Sequence, residues 1–299
     1  MTELAPGARI GLIGLGRMGL PMGARLVDAG YGVQAFDLDA DARALAEERG
    51  MASAPTPAGA LDLVDAVILM LPTSAIVSSV LHDRAVLEAL APDVLIVDMG
   101  SSEPIATQEL AAELREHGLR LIDAPVSGGV AGAIAGTLTI MVGGDEMDVA
   151  DAHRLLTSLG DPVHVGPVGA GDAAKALNNL LSATHLWATS EAVLAGERFG
   201  VDPEVLLSVL NTSSGRSGST QTKWPRFVLP GTYDSGFSLE LMLKDMKIAV
   251  DLCERVGQAV RLGTDAVSLW ERAAADLPAG ADHTEVARWL RATDARAAE

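Results

Sequence analysis

Cysteine is almost absent from this sequence: Cys253 is the single thiol in 299 residues. One cysteine cannot close an intrachain disulfide, which excludes a disulfide-framed secreted scaffold and fits a reducing compartment, so a cytoplasmic location is expected. Cys253 lies in a helical pattern and reads as a packed small side chain. Basic residues are also scarce. Lys plus Arg number 22 against 40 Asp plus Glu, a formal charge of -18. Nucleic acid and anionic membrane surfaces both need clustered positive charge, so neither is expected as a partner. Any anionic ligand must be met by locally placed positive groups. No apolar run approaches transmembrane length, and Met1-Thr2-Glu3-Leu4-Ala5-Pro6-Gly7 carries no basic-then-apolar leader pattern. His82, His117, His153, His164, His185 and His283 show no metal-ligand spacing and no triad, so no metal is expected. The composition that remains, 48% hydrophobic and 21% charged, gives room for two domains and a large core.

Against these absences, one stretch is rich in signal. Ile10 to Ile13 is a short apolar run of buried-strand character. It ends in Gly14-Leu15-Gly16-Arg17-Met18-Gly19, and helical spacing follows. A strand, a Gly-x-Gly-x-x-Gly turn and a helix form the fingerprint of a dinucleotide site. The first glycine allows the tight turn, the second lets backbone approach a pyrophosphate, and the third lets helix and strand pack closely. The free N–H groups and dipole of the helix N-terminus favour the phosphate charge. The alternative is a glycine-rich turn with a surface Asp, since the chain holds 31 glycines. Asp37 weighs against it. It ends a second apolar run, Val33 to Asp37, 21 residues beyond Gly16, about where an acidic residue meets the ribose hydroxyls. A carboxylate there accepts from both hydroxyls and repels a 2′-phosphate, so NAD is favoured over NADP. The next basic residue is Arg43, within the following helix.

The pattern of residues 1–166 alternates strand and helix. Asp39 is a plausible N-cap for a helix over 39–49. Apolar runs at Ala66–Met70, Val94–Asp98 and Leu119–Asp123 are separated by helical patterns over 74–90, 103–117 and 145–159. Thr137–Val142 and Pro162–Val165 extend the set. Such alternation predicts an α/β fold, a doubly wound parallel Rossmann sheet with ligands beyond the strands' carboxyl ends. From Gly169 the chain reads as helical over 170–199, 202–212, 238–256, 263–276 and 283–294, with the pattern broken over 211–236. The first of these helices, about 45 Å long at 1.5 Å per residue, would join the two domains, with Leu177, Leu180, Leu181 and Leu194 on its apolar stripe. The expected division is a NAD-binding domain over 1–166 and an all-α domain over 167–299.

Three further segments hold more polar residues and glycines than packing requires. Asp123-Ala124-Pro125-Val126-Ser127-Gly128-Gly129 follows a strand. Ser127 and the N–H groups of Gly128 and Gly129 suit a carboxylate, though a glycine turn that only reverses the chain is the alternative. In Gly169-Ala170-Gly171-Asp172-Ala173-Ala174-Lys175-Ala176-Leu177-Asn178-Asn179, Lys175 and Asn179 share one helical face and Asn178 points elsewhere. A lysine near a helix start, desolvated in a cleft, has its pKa depressed and suits acid/base work. The alternative is an exposed surface lysine. Finally, of Lys244 and Lys247, one can reach back to cofactor or substrate while the other is solvated.

Together these segments resemble the β-hydroxyacid dehydrogenase family, which includes 3-hydroxyisobutyrate dehydrogenases and tartronate semialdehyde reductases. The matching motifs are Gly11-x-x-Gly14-x-Gly16-x-Met18-Gly19-x-x-Met22, then Asp123 to Gly129 with Gly132-Ala133 and Gly136-Thr137-Leu138. Gly169-x-Gly171-x-x-x-Lys175-x-x-Asn178-Asn179 and Lys244-Asp245 complete them in the family's order. The resemblance implies reversible oxidation of a small β-hydroxy acid to its semialdehyde or keto acid. It makes Lys175 the acid/base and Asn179 its assistant, and gives the substrate carboxylate to Ser127, Gly128 and Gly129. It also places Leu71, Pro72 and Ser101 by the nicotinamide half and Lys244 near the cofactor. The sequence departs at Gly100-Ser101, where relatives often read Ser-Thr, and at Gly23-Ala24-Arg25, where many read Ala-x-Asn. Asn211-x-Ser213-Ser214-Gly215-Arg216-Ser217 looks most like the 3-hydroxyisobutyrate branch, with tartronate semialdehyde or another short-chain semialdehyde as the alternative substrate. A nucleotide-bound recognition module and an imine reductase are the rivals, and Lys175 argues against both. A homodimer or homotetramer is expected.

Overall fold

The apolar runs of the N-terminal half become strands because they are covered on both faces, as continuous rather than alternating hydrophobic segments require. In the computed structural model, which describes residues 3–297, the strands are β1 (Arg9–Ile13), β2 (Gly32–Phe36), β3 (Ala52–Ser53), β4 (Ala66–Leu69), β5 (Leu95–Asp98), β6 (Arg120–Asp123), β7 (Val126–Ser127), β8 (Leu138–Gly143) and β9 (Gly160–Gly166). Every residue of β4 and β5 is buried. The order is β3-β2-β1-β4-β5-β6-β8-β7, with β9 beside β8. From β3 to β6 all pairings are parallel.

Beyond β6 the wholly parallel sheet expected from the sequence is corrected. β8 pairs antiparallel with both β6 and β7, while β9 is parallel to β8. The cause is connection length. Ala124 and Pro125 carry the chain from β6 into β7 in the same direction, and only residues 128–137 lead from β7 to β8, whereas a parallel neighbour needs a crossover of a dozen or more residues.

The helices of this half are α1 (Gly19–Asp28), α2 (Ala40–Glu48), α3 (Pro57–Leu61), α4 (Ser74–Leu81), α5 (Arg84–Ala89), α6 (Pro104–Glu116), α7 (Gly129–Ala135) and α8 (Glu146–Thr157). Asp39 caps α2 by accepting from Asp41 N, as its sequence position suggests. The helix expected over 74–90 is instead two, because the Asp83 carboxylate accepts from Ala85 N and Val86 N and starts a new helix. The apolar core fills both sides of the sheet, with Ile10, Leu12, Met22 and Ile68 on one side and Leu61, Val67, Leu81 and Ile96 on the other.

The chain divides into two compact units between Lys175 and Ala176, inside α9 (Ala170–Phe199) and later than the change of pattern at 166/167. The second unit continues with α10 (Pro203–Asn211), a π-helix (Ser219–Val228), α11 (Leu239–Arg255), α12 (Arg261–Asp276), a 3₁₀ turn (His283–Glu285) and α13 (Val286–Ala297). Its core gathers Leu186, Trp187, Trp224, Met246 and Trp270. Two expectations are corrected here. On α9, Leu180 and Leu194 are buried as expected, but Leu177 and Leu181 are exposed at 40% and 59%; Ala176, Ala183, Leu186 and Val193 complete the buried stripe. Part of the broken stretch 211–236 is helical after all, wound as a π-helix around Pro225, whose missing N–H removes an ordinary helical bond.

Candidate active site

The three fingerprint glycines do different work. At Gly14 (φ +98°) a Cβ would lie 2.4 Å from the Met70 carbonyl oxygen, and at Gly19 it would lie 1.9 Å from that of Gly14. Both positions are closed to side chains by the protein's own backbone. Gly16 is exposed, and a Cβ there would meet nothing within 4 Å. Folding therefore does not demand glycine at 16; the open space suits a phosphate approaching the backbone. Beside it, the Asp37 carboxylate accepts from Leu15 N at 2.7 Å and from Asp39 N at 2.9 Å. That holds an acidic group against the turn, where ribose hydroxyls are read. Arg43 curls back toward the same place. Its Nη1 donates to the carbonyls of Asp37 at 2.6 Å and Leu38 at 3.2 Å, and its guanidinium lies 5.8 Å from the Phe36 ring centroid. Arg17 is exposed and Met18 half-buried. These residues fit a dinucleotide.

Leu71, Pro72 and Ser101 follow the ends of β4, which lies beside β1, and of β5, which lies beside β4. Gly100 has a structural reason to be glycine: its Cβ would sit 2.5 Å from the Leu71 carbonyl oxygen. Below these loops lie three buried carboxylates. Asp98 accepts from Gly100 N at 3.0 Å and Ser102 Oγ at 2.8 Å. Asp123 accepts from Gly169 N at 2.7 Å and Asp172 N at 2.8 Å, fastening the start of α9 to the end of β6. Asp172 accepts from Ser102 N at 3.1 Å and Thr107 Oγ1 at 2.8 Å. Their spacing in sequence hides this cluster, which only the sheet register makes, with Asp98 opposite Asp123.

Burial pushes the Asp123 carboxyl up to about 6, against the pull of its backbone N–H donors, and the Asp98 charge adds to the rise. Burial, then the charges of Asp98 and Asp123, lift Asp172 well above the usual carboxylate range. The folded protein therefore holds protons that the unfolded chain has released. This contribution is present at low pH and is lost as pH rises from about 4 through 6 and beyond. His283 works in the opposite sense, since burial depresses it to about 4, so its contribution is lost as pH falls below about 6.5. Asp172→Asn removes the first effect only. Its melting temperature relative to the parent is expected to be higher at pH 8 than at pH 5; a difference that does not change with pH would contradict the assignment.

Lys175 is 9% exposed, so the surface-lysine alternative fails. Its Nζ donates to the Val126 carbonyl at 2.7 Å, next to Ser127. Ser127 is half-buried, while Gly128 and Gly129 are exposed. Both glycines have positive φ, +129° and +63°, and a Cβ on Gly129 would meet nothing within 4 Å. The first unit thus brings a buried ammonium to the loop whose free backbone suits a carboxylate.

In the second unit Asn179, the next turn of α9, is buried and Asn178 exposed, as their spacing requires. Asn179 Nδ2 donates to Asp245 Oδ2 at 2.6 Å, which fixes the amide. Lys244 Nζ stands 3.3 Å from Asp245 Oδ1, whereas Lys247 pairs with Glu271 at 2.6 Å on the surface. This distinguishes the two lysines. Sequence alone names Asp245 only beside Lys244 in a matching motif and gives it no role, although a charged residue on the buried face of an amphipathic helix was the available signal.

A glycine turn open to a dinucleotide, a carboxylate held against it and a buried lysine beside an exposed glycine loop fit one class: an NAD-dependent oxidoreductase acting on CH–OH groups. The comparisons agree. Residues 9–169 match the NAD-binding domain of 6-phosphogluconate dehydrogenase, and 169–290 match the NAD-binding domain of NADP-dependent 3-hydroxyisobutyrate dehydrogenase. The human mitochondrial 3-hydroxyisobutyrate dehydrogenase is 36% identical over 94% of this chain and 86% of its own length. The 2-(hydroxymethyl)glutarate dehydrogenase of Eubacterium barkeri is 38% identical over 81% of each. The solved Mycobacterium tuberculosis 3-hydroxyisobutyrate dehydrogenase with L-serine superposes with a TM-score of 0.89 at 35% identity, over 95% of this chain and 99% of that one. The chain belongs to the β-hydroxyacid dehydrogenase family.

Proposed function

We propose that this enzyme interconverts a small β-hydroxy acid and its semialdehyde or keto acid, with 3-hydroxyisobutyrate as the reference substrate and tartronate semialdehyde the alternative. The observation that carries the reading is the Lys175 ammonium on the Val126 carbonyl, one residue from Ser127. Ser127 and the N–H groups of Gly128 and Gly129 hold the substrate carboxylate. Lys175 accepts the hydroxyl proton in oxidation and returns it in reduction. Asn179, oriented by Asp245, holds the reacting oxygen. Gly14 to Gly19 and Asp37 hold the cofactor, with Leu71, Pro72 and Ser101 at its nicotinamide half and Lys244 nearby. Bound NAD supplies two-electron transfer at the carbinol carbon; the protein supplies position and charge.

Initial rates with 3-hydroxyisobutyrate, glycerate, serine and 4-hydroxybutyrate, each with NAD and NADP, test this reading. A β-hydroxy acid with NAD is expected to give the highest kcat/KM. Asp37→Ala is expected to narrow the preference for NAD, since it removes the carboxylate that repels a 2′-phosphate and leaves Arg43 beside the site. A higher kcat/KM with NADP, or with 4-hydroxybutyrate, would contradict the assignment.

No described helix is long and apolar enough to cross a membrane. The buried, unpaired thiol of Cys253 supports a reducing, cytoplasmic setting, which fractionation of the native cells would check against a particulate location. The exposed apolar side chains Leu177, Leu181, Leu241 and Leu262 support a homodimer or homotetramer; light scattering that gives a monomer at every dilution would refute it.

A further inference from the structure

Two segments of the first unit carry proposed site residues, and each is pinned to its own strand by a buried carboxylate. The loop after β5 carries Ser101, and Asp98 holds it through Gly100 N and Ser102 Oγ. The first turn of α9 leads to Lys175, and Asp123 holds that turn to β6 through Gly169 N and Asp172 N. Neither anchor joins the loop to the helix. Asp172 does. It is 1% exposed and sits in the first turn of α9. Its carboxylate accepts from Ser102 N at 3.1 Å and from Thr107 Oγ1 at 2.8 Å. Ser102 adjoins Ser101, and Lys175 follows Asp172 by one turn, about 4.5 Å of rise. At the surface Gln108 Nε2 adds a link ahead of the helix, donating to the Val168 carbonyl at 3.0 Å. The helix side of this joint is seated at backbone contact. A Cβ on Gly171 would lie 2.2 Å from the Met141 carbonyl oxygen, and one on Gly143 would lie 2.4 Å from Asp123 Oδ1. Three buried carboxyls together carry a desolvation and repulsion cost that an apolar side chain at 172 would avoid. What Asp172 adds is the joint.

We propose that Asp172 is a positioning residue for the reaction, which fixes the loop of Ser101 relative to the turn that bears Lys175. The inference rests on the roles proposed above for Ser101, at the nicotinamide, and Lys175, at the proton. Hydride and proton leave the same CH–OH group for these two acceptors, so both must keep their places at once. A misplacement of about 1 Å costs about 10²-fold in rate. Asp172 itself moves no proton in this scheme.

The test compares the parent with Asp172→Ala, Asp172→Asn and Leu114→Ala, using NAD and whichever of 3-hydroxyisobutyrate, glycerate and serine the parent turns over fastest. Leu114 is on the buried face of α6, about two turns past Thr107, so Leu114→Ala destabilises the unit and leaves the joint intact. Asp172→Ala is expected to lower kcat by about 10- to 100-fold, with KM and NAD affinity within about threefold of the parent. Its primary isotope effect with substrate deuterated at the carbinol carbon is expected to rise, as hydride transfer becomes the slow step. Asp172→Asn is expected to recover most of kcat, since its amide oxygen still accepts from Ser102 N and its amide N–H faces Thr107 Oγ1. Leu114→Ala is expected to melt earlier and keep kcat. A kcat of Asp172→Ala within about threefold of the parent, or an equal loss in Leu114→Ala, would overturn the proposal. Should Asp172→Ala not fold, Thr107→Val removes one donor at constant shape: a lower kcat at unchanged NAD affinity supports the joint, and a parental kcat refutes it. Hydrogen exchange over residues 99–103 of the unliganded protein separates this inference from the reaction assignment. Faster exchange in Asp172→Ala supports the joint even if Lys175→Ala keeps its activity, and equal exchange refutes it even if Lys175→Ala is inactive.

Discussion

Gly16→Val is expected to fold as the parent does and to lose NAD. A Cβ at 16 would meet no protein atom within 4 Å, so the fold has open space where the valine side chain begins. The cost falls on the cofactor, whose pyrophosphate can no longer reach the backbone N–H groups of the turn. A hydrogen bond to a charged group contributes about 1.5–3 kcal/mol, so the loss of one well-formed contact weakens binding by about 10²-fold. Gly19→Ala behaves in the opposite way. Its Cβ would stand 1.9 Å from the Gly14 carbonyl oxygen, which forces the turn and α1 apart and lowers the melting temperature. Calorimetric titration with NAD, run beside thermal melts, separates the two. NAD affinity of Gly16→Val within about threefold of the parent would show that the turn does not carry the pyrophosphate.

Much of this molecule is legible in its sequence because local chemistry and tertiary environment agree. The run Ile10–Ile13, the glycine turn and Asp37 lie where the pattern puts them, and α9 spans 170–199 as its periodicity requires. Helical spacing puts Lys175 and Asn179 on one face, and the family resemblance gives them their roles. What escaped depends on contacts remote in sequence. The Asp98–Asp123–Asp172 cluster arises from strand register. The buried contact of Asp245 with Asn179 joins residues 66 apart in sequence. The antiparallel end of the sheet follows from the short connection over 128–137, which reads like any other. Leu177 and Leu181 look like core residues, but apolar identity does not say which side of a long helix is covered. The π-helix was hidden by Pro225, which ordinarily ends a helix.

The central claim is that Lys175 moves the proton. It is buried, its Nζ is held 2.7 Å from the Val126 carbonyl, and it neighbours the loop proposed to take the substrate carboxylate. Lys175→Ala removes this group without touching Gly14 to Gly19 or Asp37, so NAD affinity is expected to stay near the parent's. A positioned acid/base is worth about 10²–10⁴ in rate. Lys175→Arg is expected to recover little of that, because a guanidinium stays charged and cannot accept the hydroxyl proton. The pH profile is also expected to lose the limb that reports this group. The most direct measurement is kcat of Lys175→Ala at saturating NAD and saturating hydroxy acid, relative to the parent. A fall of about 10²-fold or more, with NAD affinity intact, is the predicted result; a kcat within about threefold of the parent would contradict the mechanism.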